Sequence, residues 1–306
     1  MRRTAPAFGL VLAAALTLGA LAAPQVAGLP TELVTAKEPL TADQQSRLNE
    51  YVTRMGNMFA IGNPSEVVSA RNELVDLCRS SIASEIFRRD LAAALVKAFE
   101  PLTKSPETFR ATNAFLVAQF LRSSDAIDFL VANIDPETQP DAGLRATAAQ
   151  QLPRAGPNAN LSPPQIDALS KKLAAAARKE TSWRAIAAEI DAVGELLRMK
   201  LPSAQAEAVA EAQASMINSV TERFENQKEL VSALQRGLLV VRNQLTSVTE
   251  PGRGKLLKGI SPSLTQITQM PKANVDAFKA DPLQDAAFKN VVITAELLQQ
   301  VGKLDR

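Results

Sequence analysis

Apolar positions recur every three or four residues along most of this chain, and the runs are separated by clusters of proline, glycine, serine and asparagine. That period belongs to a helix burying one face, so the pattern predicts a succession of amphipathic helices. Thr41 stands as the cap of a helix to about Ile61, with Leu48, Val52, Met55 and Phe59 on one face, and Gly62 and Asn63 stop it. Further helices are expected over about 64–79, 84–99, 106–121, 125–134 and 142–152, joined by turns short enough to make neighbours antiparallel. The stretch "PRAGPNANLSPP" (153–164) holds four prolines and a glycine, and reads as the clearest break.

Beyond that break the helices lengthen. Ser162 caps one to about Lys179, and Thr181 or Ser182 starts another carrying Trp183, Ile186, Ile190, Val193 and Leu197 on one stripe. Residues 203–248 are expected to form a single long helix. Its regular part is a seam at Ile217, Val220, Phe224, Gln227, Val231, Leu234, Leu238, Val241, Leu245 and Val248, whose steps alternate three and four. This is a heptad stripe that packs one helix against a neighbour, with Gln227 as its one polar member and Gly237 as a point of weakness. Packing against 162–200 and 282–303 is the expected use of the stripe, and a homodimer through 217–248 is the alternative. "EPGRGKLLKGISP" (250–262) reads as the turn that ends the seam, and a last helix runs from about Pro282 to Lys303.

Composition agrees with an all-α chain. Ala, Leu, Gln, Glu, Lys and Arg dominate, and these lose little rotamer freedom in a helix. Hydrophobic residues make up 46% of the 306 and aromatics only 4%. The first 22 residues place Arg2 and Arg3 before an apolar run ending in small residues around Ala20-Leu21-Ala22, the pattern of a secretory signal peptide. Cleavage there takes two of the 34 basic residues and no acid, leaving 32 of each sign. Charge therefore gives no reason to expect nucleic-acid binding. Secretion or a periplasmic location follows, with membrane contact at most peripheral unless the apolar segment is retained as an anchor.

Three helix starts resemble one another: "NPSEVVSARNELVDL" from Asn63, "SPETFRATNAFLVAQFL" from Ser105 and "DPETQPDAGLRATAAQQL" from Asp135. Each opens with a polar cap, Pro and Glu, then brings an Arg, small residues and leucines. Proline is tolerated in a first helical turn and the Glu suits the helix dipole there. The starts lie 42 and 30 residues apart, so the repeat is irregular. It resembles the HEAT-repeat family, whose helix pairs carry Asp-Pro at the turn and an Arg within the second helix. The matching positions are Asp135, Pro136 and Arg145, then Asn63, Pro64 and Arg71, and Pro106 with Arg110. Over about 62–155 the resemblance implies an α-solenoid that buries its core by stacking neighbours. The expected organisation is a signal peptide (1–22), an extended leader (23–40), a HEAT-like helical repeat region (41–155) and a coiled-coil-like bundle of long helices (156–306).

The chemistry available is narrow. There is no histidine, which removes Ser-His-Asp and Cys-His nucleophile sites and histidine-ligated zinc. One cysteine, Cys78, on a face with Val67 and Leu74, reads as a buried thiol. "GRGK" (252–255) lacks the upstream glycine of a phosphate loop, and Leu256 stands where Ser or Thr would hold magnesium. The acidic run from Asp135 fails as a calcium loop because Pro136, Gln139 and Pro140 occupy its second, fifth and sixth positions. No catalytic residue, cofactor or metal is expected. A non-catalytic helical scaffold binding another protein in the cell envelope is the function read from these features. Two alternatives belong to other classes. One is a carboxylate-dependent hydrolase of an envelope polymer, using a pair such as Glu189 with Asp191 or Glu195. The other is a peripheral envelope-binding module whose anionic-surface contact is the basic cluster Arg253, Lys255 and Lys258.

Overall fold

A computed structural model describes residues 28–304, an all-α arrangement with no strand among them. The helices are α1 (Thr31–Val34), α2 (Ala42–Ile61), α3 (Pro64–Arg79), α4 (Glu85–Phe99), α5 (Thr108–Ala118), α6 (Ser124–Ala132), α7 (Ala142–Ala155), α8 (Pro163–Lys179), α9 (Trp183–Leu197), α10 (Ser203–Arg223), α11 (Val231–Gln244), α12 (Gly252–Thr268), α13 (Lys272–Asp276) and α14 (Pro282–Leu304). The signal-peptide reading of 1–22 and the first residues of the leader lie outside the described residues.

Local chemistry sets most boundaries. Thr41 and Gln44 form a reciprocal capping box, with the Gln44 amide donating to Thr41 Oγ1 at 3.3 Å and the Thr41 amide to Gln44 Oε1 at 3.0 Å. Asn63 and Glu66 repeat it at α3, where Pro64 occupies the first turn. Ser84, Ser123 and Asp141 cap α4, α6 and α7. Carbonyl ends are closed by arginines from other helices. Arg110 donates to the Phe59 and Gly62 carbonyls at the end of α2, and Arg88 to those of Cys78 and Ser80 beyond α3. Cationic donors suit a helix C-terminus, where unpaired carbonyls carry partial negative charge.

Packing follows an alternation. α2, α4, α6, α8, α10, α12 and α14 lie side by side as one layer, and α3, α5, α7, α9 and α11 as the other, with α14 closing the end against both α11 and α12. A single hydrophobic core runs between the layers from Leu29 to Leu298. The alternation continues through α6–α8 and α7–α9, so the boundary expected at 155/156 is not a break in the packing.

Three expectations need correction. The described part of the leader is not extended throughout: residues 31–34 form α1, Leu29, Leu33 and Val34 are buried, and Val34 O accepts the Ser84 amide at 2.9 Å. The long helix over 203–248 is two helices. Phe224 ends the first by stacking on Phe278 and Phe288, at 5.8 and 6.3 Å between ring centroids, and Gln227 leaves helical geometry at φ −125°, ψ 77°. Folding back lets Ile217, Val220, Phe224, Val231, Leu234, Leu238 and Val241 all reach complete burial within the chain. The turn expected at 250–262 is instead most of α12. Its interior Pro262, like Pro153 in α7, is carried by packing that outweighs the roughly 3 kcal/mol intrinsic penalty. α11 runs on through Gly237, where a Cβ would stand 3.2 Å from Ile190 Cδ1, so the glycine admits α9 closely.

Candidate functional site

The layer formed by the even-numbered helices carries a row of depressions. Between α2 and α4 one of about 640 Å³ is lined by Gln45, Asn49, Ala93 and Lys97 among others. It shares Ala93 and Lys97 with one of about 1080 Å³ around α4, α6 and α8, where the nine-residue α6 leaves the layer open. A third, of about 590 Å³, lies among α8, α10 and α12, and shares Lys258 with a fourth of about 690 Å³ between α12 and α14. Small residues at the lining positions, including Ala93, Ala175, Ala214, Gly254 and Gly259, leave the space. A shallower depression over the outer side of α2 is bordered by Met58 and the exposed Ile61.

The loop over 133–141, beside the largest of these depressions, is a polar corner. Gln139 is buried and its Nε2 donates to Thr103 O at 3.0 Å, while its Oε1 accepts the Asp141 amide at 3.1 Å. Asp135 and Glu137 both pair with Lys179, at 3.7 and 2.9 Å, and Asp141 caps α7 through the Leu144 amide at 2.8 Å. Each carboxylate of the acidic run is thus engaged in holding the corner to the end of α8 or in starting α7.

Behind the corner sits a buried ionic cluster. Arg145 meets Glu180 with two parallel bonds, Nε–Oε2 at 2.6 Å and Nη2–Oε1 at 3.0 Å, and also donates to the Gln139 and Pro140 carbonyls. Burial works to raise the Glu180 carboxyl, but Arg145 and the Ser182 and Thr181 amides together hold it below the ordinary range. Arg223 donates to the Glu180 and Ala177 carbonyls, closing α8. Glu189, on α9, is fully buried and neither oxygen has a hydrogen-bond partner. Burial pushes its pKa well above the usual carboxylate range; the Glu180 charge adds to the rise, and Arg145 and Arg223 oppose it.

The residues singled out in the sequence fall in different places. Arg253 is held by Glu250 at 3.0 Å and Lys255 by Glu211 at 2.5 Å, so two of the three expected anionic-surface contacts already have carboxylate partners. Lys258 is exposed on α12 where two depressions meet. Asp191 makes a two-pronged pair with Arg236, Glu195 pairs with Arg198, and Glu189 is buried, so these three acids do not share a cleft. Arg71 donates to Asn113 Oδ1 at 3.0 Å, linking α3 to α5. Cys78 is buried and its thiol is pushed up to about 12 by desolvation. Trp183 packs half-buried against the core, with the Arg184 guanidinium 5.1 Å from its ring. Sequence reasoning missed Arg178 and Lys303, which join Lys258 along the depressions. Only their helical spacing, as isolated charges on amphipathic helices, marks them. No protein-family model matches the chain, and no curated protein matches it either.

Proposed function

We propose that this chain is an exported, non-catalytic α-solenoid scaffold, an irregular HEAT-like stack, that binds a protein partner along the face of its even-numbered helices. Two pairs of adjoining depressions along this face, one over α2–α8 and one over α8–α14, carry the reading. Stacked helical repeats present extended surfaces of this kind, suited to a long polypeptide contact more than to a compact substrate. The lining supports the same conclusion, because it is rich in amides, hydroxyls and charges and poor in the aromatics that stack on sugars; Phe129 is the one aromatic along the row, and it is buried. Export rests on the pattern of residues 2–22, and no described helix is long and apolar enough to cross a membrane.

Photo-crosslinking in the producing cell tests the reading. A benzophenone side chain at Lys97 or Lys172, on the groove face, is expected to give a discrete protein adduct, and one at the exposed Asn243 of α11 is not. Equal labelling from both faces, or none from the groove, would sink it. N-terminal sequencing of the chain recovered from the envelope is expected to begin close to Ala23.

A further inference from the structure

The two depressions at the α14 end differ from the others in charge. Arg178, Lys258 and Lys303 line them, are exposed, and have no ion-pair partner among the described residues. Lys255 is neutralised by Glu211, and among the described residues the only other carboxylate on either wall is Glu222, also without an ion pair among them. Three unpaired cations thus face one unpaired carboxylate. In the α4–α6–α8 depression, by contrast, the unpaired Lys97 and Lys104 are matched by the unpaired Glu100 and Asp125, while Lys172 is paired with Asp128 at 3.3 Å. Polar side chains surround the cations: Arg178 donates to Ser215 Oγ, and Ser219, Ser261, Thr265 and Gln299 share the walls. Gly302 lies on the wall with no heavy atom near its missing side chain, so a main chain can approach there.

We infer that the α8–α10–α12–α14 end of the groove receives a carboxylate-rich segment of the partner polypeptide, with Lys258 as the central contact and Arg178 and Lys303 on either side. This rests on the scaffold reading and names the chemistry of what is bound. The cations line a concave surface, which a narrow chain enters and a flat bilayer does not. Net positive potential in a cleft concentrates an acidic chain and excludes a basic one.

The test is fluorescence anisotropy of the full chain with a glutamate-rich peptide and its glutamine counterpart. Tighter binding of the glutamate peptide, weakened by added salt, is expected. Reversing two contacts in Arg178→Glu/Lys258→Glu is expected to weaken it about tenfold, while Lys97→Glu in the balanced depression leaves it unchanged. Glu222→Gln is expected to tighten it two- to threefold, roughly one rim charge, a gain that misfolding cannot imitate. Equal affinity for the two peptides overturns the inference, and the crosslinks at Lys97 and Lys172 then report separately on the scaffold reading. Binding to phosphatidylglycerol vesicles in place of the peptide, lost in the same variants, also overturns it and assigns the cations to a lipid surface.

Discussion

Glu189 is a side chain whose chemistry depends entirely on where it lies. In the sequence it is one acid among 32, and its neighbours Asp191 and Glu195 are paired at the surface. In the fold it is fully buried and unpartnered, so the folded state holds its proton far more tightly than the unfolded chain does, where glutamate titrates near about pH 4.3. The stability this gives is fully present below that pH and is lost as pH rises toward the folded value. Glu180 has the opposite sign: held below its ordinary range, it contributes stability above the unfolded pKa that is lost in acid. Urea midpoints of Glu189→Gln across this range are therefore expected to match the parent's pH dependence in acid and to lack its decline toward alkaline pH. A parallel decline in both proteins would show that Glu189 is ionised in the fold. Arg145→Met leaves Glu180 buried without its cation, and is expected to cost about 3–5 kcal/mol in the same measurement. The Arg145–Glu180 pair was half legible. The position of Arg145 within its repeat-like motif stood out, but its partner lies 35 residues downstream in a turn with no distinguishing pattern.

At the scale of the element, capping chemistry was legible and tertiary exceptions were not. Thr41, Asn63 and Ser84 mark helix starts because an unpaired amide needs an acceptor within three residues, which is a local demand, and Ser162 marks one by donating its amide and hydroxyl to Gln165. The break after Arg223 follows a distant one: Phe224 is drawn out of the heptad by Phe278 and Phe288, which no window around 224 contains. Pro153 and Pro262 misled for the converse reason, since packing overrides a local penalty. α12 lies against α10 through Gly259, where an added Cβ would stand 2.7 Å from Ala214 Cβ on a neighbouring rigid helix. Gly259→Ala is therefore expected to destabilise by about 1–3 kcal/mol in urea unfolding, despite the gain of about 1 kcal/mol in helix propensity. Adding Ala214→Gly relieves the clash, and a double-mutant cycle is expected to show positive coupling between the two sites. Additive effects would mean that the helices sit further apart than 2.7 Å implies.

For the whole molecule, the question is whether the proline-rich stretch near 155 divides two folding units, as its composition suggests. A proline cluster reports only that a helix stops, and short connections between packed helices use the same residues as linkers between domains. What distinguishes them is whether the core crosses, and here it does. α7 lies along α9, α6 reaches α8, the Arg145 guanidinium belongs to α7 and its carboxylate to the end of α8, and Lys179 closes the corner over Asp135 and Glu137. A chain ending at 155 would expose the side of α7 that packs along α9 and would strand a buried arginine. Stacked arrays draw much of their stability from such interfaces, so the bare edge removes both an apolar contact and an ion pair. The fragment 28–155 is accordingly expected to give no cooperative thermal transition by circular dichroism, whereas 28–304 gives one. A fragment that unfolds cooperatively on its own would restore the boundary read from composition, and with it a repeat domain able to bind its partner without the α8–α14 half of the groove.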